Sequence, residues 1–135
     1  MTKKRILIVE DQGITALDEA QIMLDLGYEV TGIAMTGDDA VEQAGRDRPD
    51  IVLMDIVLAG EMDGREAAMK IRDLYRIPVV YVTAHGDKKT SKSENFTVPE
   101  GFGYIVKPYT KKELESETER LVAEGSHDEA ARGNE

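Results

Sequence analysis

Five short runs of apolar residues recur along the chain, separated by segments with the periodicity of amphipathic helices. The runs cover residues 6–9, 30–34, 51–54, 79–82 and 104–106, and each has the length of a strand. A continuous apolar run is typical of a strand buried on both faces. The pattern therefore predicts a (βα)5 chain, with a parallel sheet, right-handed crossovers and helices on both faces.

Local signals support the predicted helix boundaries. A Ser, Thr or Asp followed three residues later by an acid can satisfy the free N–H groups at a helix start. Gly27 stands where the first helix should end. The helix expected within residues 87–96 has no apolar stripe before its last residue, so we predict that it is short or irregular. Three pairs have the capping spacing: Thr36 and Asp39, Asp63 and Glu66, and Thr110 and Glu113.

Composition narrows the class of protein. A chain of 135 residues is one domain's length, which we place at residues 1–123, followed by a polar tail at 124–135 that we expect to be frayed or disordered. The formal net charge of -10 argues against direct binding to nucleic acid. There are no cysteines, and no segment reaches the length of a membrane span. We therefore expect a cytoplasmic protein without membrane insertion.

Polar side chains follow four of the five predicted strands at their carboxyl ends. In an open parallel sheet these ends share one edge, where ligands bind. Carboxylates gathered there would repel one another unless a hard divalent cation lay among them, and Mg²⁺ is the natural candidate. The residues concerned are Glu10 and Asp11 after the first run, Asp55 after the third, Thr83 and Ala84 after the fourth, and Lys107 after the fifth.

A phosphoryl group would complete such a site. Mg²⁺ usually keeps positions open for phosphate oxygens, so Asp55 becomes a candidate nucleophile that forms an aspartyl phosphate, with Lys107 and the Thr83 hydroxyl holding phosphoryl oxygens. Each residue alone has a simpler explanation, such as a helix cap or a solvated cation. Their occurrence together, each at a predicted strand end, favours a shared site.

Four stretches of sequence resemble the receiver domain of two-component response regulators. They are ILIVED, LMDIVL, YVTA and YIVKPY, and the resemblance covers residues 4–123. It implies a flavodoxin-like doubly wound fold with strand order 2-1-3-4-5. It also implies a phosphoacceptor switch that catalyses only its own phosphorylation and dephosphorylation. Two features depart from the family pattern: the loop after Asp55 is one residue longer before Gly64, and the fourth helix is polar.

The resemblance assigns a role to each site residue. It implies phosphorylation of Asp55 and a cis peptide bond between Lys107 and Pro108. Magnesium ligands would come from Asp11, Asp55 and the Val57 carbonyl, with Glu10 acting through a metal-bound water. Phosphoryl contacts would come from Thr83, the Ala84 amide and Lys107, and the switch pair would be Thr83 and Tyr104.

The same resemblance implies the partners. The phosphoryl donor would be a histidine kinase or a histidine phosphotransfer protein, and the target an unknown downstream protein. We expect the signal to pass through the fourth helix, fifth strand and fifth helix, residues 84–122, because the segment 87–98 has few apolar anchors and could be shifted by a small local change. The alternative is that this segment is a surface loop with no coupling to the site. The same face could join two copies in a homodimer. No output domain follows residue 123, so we expect either a stand-alone relay protein or a piece of a longer chain.

Three other functions have less support from the sequence. An aspartate-based phosphohydrolase generally needs a second acid two residues after its nucleophile, where this chain has Val57. A flavin-binding protein of the same fold needs hydroxyls and glycines after the first strand, and Glu10 and Asp11 would repel its phosphate. A receiver-like scaffold that is never phosphorylated is disfavoured because no site residue is missing.

Overall fold

Five strands form one parallel sheet in the computed structural model, which describes residues 3–56, 58, 60, 62–83 and 101–133, with the backbone alone for Thr83 and residues 124–133. The order β2-β1-β3-β4-β5 and the parallel pairing confirm the predicted 2-1-3-4-5 arrangement. The strands are β1 (Arg5–Val9), β2 (Glu29–Ala34), β3 (Ile51–Asp55), β4 (Val79–Thr83) and β5 (Gly103–Val106).

Four helices within the described ranges cover the two faces of the sheet. Helices α2 (Gly37–Asp47) and α3 (Gly64–Tyr75) pack on one face. Helix α1 (Gly13–Asp25) and the C-terminal helix (Lys111–Gly133) pack on the other. Successive strand residues point to opposite faces, so each central strand contributes to both cores. This two-sided burial explains why the strands read as continuous apolar runs.

Three predicted helix starts and the predicted end of α1 are confirmed. Two N-caps accept a single bond from the N–H three residues on, at 3.1 Å for Thr36 and 3.0 Å for Asp63. Thr110 and Glu113 form a reciprocal capping box, with bonds of 3.0 and 2.9 Å. At the end of α1, Gly27 has a φ of +95°, a left-handed conformation that glycine adopts without strain, and the next N–H returns to the Met23 carbonyl.

The C-terminal helix is longer than the sequence predicted. Its backbone stays helical to Gly133, whereas we expected a frayed or disordered tail from residue 124. Extending an existing helix costs little per residue, and residues 124–133 contain no proline to stop it. None of the helices within the described ranges is long and apolar enough to cross a membrane. The domain boundary at residue 123 stays a prediction.

The apolar periodicity of α1 predicts its buried face only in part. The residues at helical spacing, Ala16, Leu17, Ala20, Met23 and Leu24, predict one buried face, but this is partly wrong because Leu17 and Leu24 are 64% and 51% exposed. The buried face of the helix contains Ala16 and Met23 together with an acid, Glu19. The irregular helix predicted at residues 87–96 lies outside the described residues.

Candidate functional site

Three carboxylates meet at the carboxyl ends of β1 and β3. These strands are direct neighbours, so Asp55, the last residue of β3, is brought near Glu10 and Asp11, which follow β1, across at least 44 positions of sequence. Glu10, Asp11 and Asp55 each offer an oxygen within 4.8 Å of the others. Glu10 is buried, and Asp11 and Asp55 are half-buried. The acidic cluster expected from the strand ends is therefore formed.

Lys107 joins this cluster from the end of β5. Its ammonium lies 3.2 Å from one oxygen of Glu10, and the backbone N–H of Gln12 donates to the other oxygen at 3.2 Å. Burial disfavours the charged ammonium, but the attraction of nearby carboxylates, Glu10 first and Asp55 among them, outweighs it and raises the pKa of Lys107. The Lys107–Pro108 peptide bond is cis, as predicted.

The donor set fits a hard divalent cation. Three carboxylates this close leave excess negative charge that one ammonium does not balance, and Mg²⁺ is bound through carboxylate oxygens of this kind. Glu10, Asp11 and Asp55 are the residues that could hold the ion. The predicted fourth ligand, the Val57 carbonyl, lies outside the described residues.

Gly64 sets the position of the Asp55 backbone. Its N–H donates to the carbonyl of Ile56 at 2.8 Å, which places the first residue of α3 directly against the end of β3. A Cβ at position 64 would overlap the carbonyl oxygen of Asp55. The longer loop before Gly64 therefore still returns α3 to the site, and only a residue without a side chain allows this approach.

Glu19 is a buried acid that the sequence analysis missed. Its side chain lies on the inner face of α1, 2% exposed, and the Tyr109 hydroxyl donates to it over a long 3.4 Å. Burial, together with repulsion from Glu10, raises the pKa of Glu19 to about 7. Its spacing from Ala16 and Met23, three and four residues, was the signal that could have located it on the core face.

The remaining predicted residues are only partly described. Thr83 ends β4, as expected, but its side chain lies outside the described residues, and so does Ala84. Tyr104 lies on β5 and packs half-buried against the core under α2 and α3. Its backbone N–H donates to Glu117 of the C-terminal helix at 2.9 Å. The switch roles of Thr83 and Tyr104 stay predictions.

Comparison with known proteins adds a family match. A model of the response regulator receiver domain matches residues 6–119. The transcriptional regulatory protein PdtaR of Mycobacterium tuberculosis is 33% identical over 111 residues, which are 82% of this chain and 53% of that protein. The phyllosphere-induced regulator PhyR of Methylorubrum extorquens is 32% identical over 105 residues, 77% of this chain and 38% of that protein. The chain thus spans about half the length, or less, of these curated relatives.

Solved structures share the fold. The N-terminal domain of a three-domain response regulator from Carboxydothermus hydrogenoformans is 36% identical with a TM-score of 0.78, and the match covers 93% of this chain and 98% of that one. The response regulator PhyR from Brucella abortus is 27% identical with a TM-score of 0.81, covering 97% of this chain and 52% of that one. The sheet and helices around the acidic cluster are therefore those of receiver domains.

We predict that Glu19 makes stability fall as pH rises. Its pKa is raised from 4.5 to about 7 by folding, so the folded state keeps the proton that the unfolded state loses. The stabilisation is complete below about pH 4.5 and is lost as pH rises through 7, by at most about 3 kcal/mol. Replacing Glu19 by Gln removes this dependence. The free energy of unfolding of the variant, relative to that of the wild type, should therefore rise between pH 4.5 and about 7, and the difference should stay constant at higher pH.

Urea unfolding at a series of pH values, with EDTA present, measures this difference. The other groups that act on Glu19 are Glu10, Lys107, Tyr109 and Asp18, and all four are retained in the variant. Subtracting the two stability curves therefore isolates position 19. Curves that run parallel from pH 4.5 to 8 would contradict the prediction.

Proposed function

The chain belongs to the response regulator receiver domain family, and from this premise we propose that it is the phosphoacceptor module of a two-component or phosphorelay pathway, with Asp55 as the acceptor. The observation that carries the proposal is the cluster of Glu10, Asp11 and Asp55 with the Lys107 ammonium beside it. The cluster combines a nucleophilic carboxylate, oxygen ligands for a cation and a positive charge for phosphoryl oxygens, which phosphoryl transfer to an aspartate requires.

The proposed reaction starts with attack of an Asp55 carboxylate oxygen on the phosphorus of a phosphohistidine. The new O–P bond forms as the P–N bond breaks, and the imidazole keeps the electron pair of that bond and takes a proton from solvent. Bound Mg²⁺ supplies neutralisation of the charge on the transferring oxygens. Lys107, now paired with Glu10, pairs with a phosphoryl oxygen in the product. Attack of water on the phosphorus later restores the Asp55 carboxylate and releases phosphate.

We further propose that the donor protein docks on the first turns of α1. Ile14 and Leu17 are 80% and 64% exposed, and they lie three residues apart, which places them on one side of the helix. The helix begins two residues after Asp11, so its first turns start next to the acidic cluster. A histidine kinase or histidine phosphotransfer protein that reaches Asp55 must approach this end of the sheet, and burial of Ile14 and Leu17 would strengthen its binding.

The proposed output surface lies along β5, the outermost strand on the far side of the sheet from β1 and β2. A groove between β5 and the C-terminal helix is lined by both apolar and charged side chains, Tyr104, Lys112 and Glu117 among them. Phosphorylation adds close to two negative charges at Asp55, and the Thr83 and Tyr104 pair would pass that change to this groove. The target is proposed to be a downstream protein or a second copy of the chain.

We predict that Asp55→Asn abolishes phosphorylation by acetyl phosphate in the presence of Mg²⁺. The amide cannot act as the nucleophile, so the added mass of one phosphoryl group should be lost in intact-mass spectrometry. Asp73→Asn is the matched control, because Asp73 is an exposed acid near the far end of α3 and pairs with Arg72. Equal yields of phosphoprotein from the wild type and Asp55→Asn would refute the assignment.

A second prediction separates docking from chemistry. Leu17→Glu should slow transfer from a phosphorylated donor protein about tenfold or more, because it places a charge in the proposed apolar contact. It should leave phosphorylation by acetyl phosphate unchanged, since that donor needs no docking surface. The control is Leu74→Glu, because Leu74 is also an exposed leucine, 61% exposed, but lies at the end of α3. Unchanged transfer to Leu17→Glu would remove α1 from the proposed interface.

The output surface is tested by hydrogen exchange with and without Mg²⁺ and beryllofluoride, which mimics the phosphoryl group. Protection should change in residues 84–109 and in the first turns of the C-terminal helix, and stay constant in α2. Asp55→Asn should show no such change. If binding at Asp55 is verified and protection across residues 84–122 is still unaltered, the proposed route of the signal is incorrect.

A further inference from the structure

Glu19 occupies a place where an acid is costly. It lies on the inner face of α1 among apolar residues of the core, and its side chain is 2% exposed. A carboxyl group in such a place needs a compensating interaction. The Tyr109 hydroxyl provides one, donating to the Glu19 carboxylate at 3.4 Å. This contact joins α1 to the segment that follows β5.

The segment from Lys107 to Tyr109 is held at both ends by the same part of the fold. At one end the Lys107 ammonium pairs with Glu10, the residue after β1. At the other end the Tyr109 hydroxyl donates a hydrogen bond to Glu19 on α1, the helix that follows β1. Glu19 thus bears on Lys107 through its hydrogen bond to Tyr109, two residues further along the chain.

We propose that Glu19 is a positioning residue for phosphoryl transfer: by accepting the Tyr109 hydroxyl bond, it fixes residues 107–109 so that the Lys107 ammonium stays beside the acidic cluster. The inference rests on the proposed function, because it concerns the group that would bind the transferred phosphoryl. Glu19 acts through Tyr109 and has no role in bonding to the phosphoryl group. The alternative is that the contact only fills a polar gap in the core and leaves the position of Lys107 unaffected.

Three variants separate these roles. Tyr109→Phe removes the donor, Glu19→Leu removes the acceptor, and Glu19→Gln keeps an acceptor oxygen while removing the charge. Asp18→Asn is the matched control, because Asp18 is an exposed acid on the same helix, next to Glu19. Tyr109 is half-buried, so its replacement by Phe retains the ring and should fold even where a change at position 19 does not.

Each variant is tested for phosphorylation by acetyl phosphate, in which the Asp55–phosphorus bond forms and acetate leaves. Calorimetry then gives the affinities for Mg²⁺ alone and for beryllofluoride with saturating Mg²⁺, since the chain has no tryptophan to report binding. Thermal unfolding verifies that each variant is folded. The Mg²⁺ measurement depends on Glu10, Asp11 and Asp55, whereas beryllofluoride binding also depends on Lys107.

We expect Tyr109→Phe and Glu19→Leu to lower the phosphorylation rate and the beryllofluoride affinity about two- to fivefold, the factor for a hydrogen bond at the weak end of the usual range, since this bond is 3.4 Å long. Mg²⁺ affinity should not fall, because the three carboxylates are retained, and Glu19→Gln should retain most of the wild-type rate. Wild-type rates in both Tyr109→Phe and Glu19→Leu would overturn the proposal, and so would equal losses in Glu19→Gln and Glu19→Leu. A wild-type protein that accepts no phosphoryl group would instead overturn the proposed function.

Discussion

A carboxylate buried at the end of the first strand imposes the main constraint on the site. Glu10 is 1% exposed, and an ionised group in that position is tolerated only when it is paired and hydrogen-bonded. The partner is Lys107, 97 residues away in sequence and 3.2 Å away in space. Because β3 and β4 lie between β1 and β5, the lysine side chain must extend across the ends of those strands to reach it. The ammonium is thereby drawn over the part of the sheet where Asp55 lies.

The pairing of Lys107 with Glu10 relates the site before phosphorylation to the site after it. Without a phosphoryl group, Lys107 is occupied by Glu10, which limits the charge of the acidic cluster. A cation and a phosphoryl group would redistribute these charges, since the cation takes up the carboxylates and the new oxygens compete for the ammonium. The same few charges can therefore favour two arrangements. Such an exchange of partners is the physical basis of a switch that responds to one modified residue.

The rest of the fold holds this edge in place. The sheet is buried on both faces by helices, so its strand ends are fixed relative to one another. Gly64 brings the start of α3 against the backbone of Asp55, and Glu19 ties the segment after β5 to α1. Neither Gly64 nor Glu19 has a role in the bonding steps that we propose. They determine where the reactive groups stand, which in phosphoryl transfer accounts for much of the catalysis.

The periodicity of the chain was sufficient to predict the five strands, the helices α1 to α3 and the edge at which the site forms. Strands buried on both faces require continuous apolar runs, and a parallel sheet places their carboxyl ends together, so the meeting of Glu10, Asp11 and Asp55 followed from local pattern and topology. The helix caps were predictable for the same reason, since a cap depends on residues three positions apart.

The sequence alone did not determine which side of α1 is buried or what Lys107 contacts. A helix with apolar residues over a wide arc can turn about its axis by one residue position, and packing against the sheet and Tyr109 selected the rotation that buries Glu19 and exposes Leu17. Contacts such as those of Lys107 with Glu10, and of Gly64 with Asp55, join residues from different elements. Local propensity depends on near neighbours in the chain, whereas these contacts depend on how whole elements pack, and so only the tertiary structure decided them.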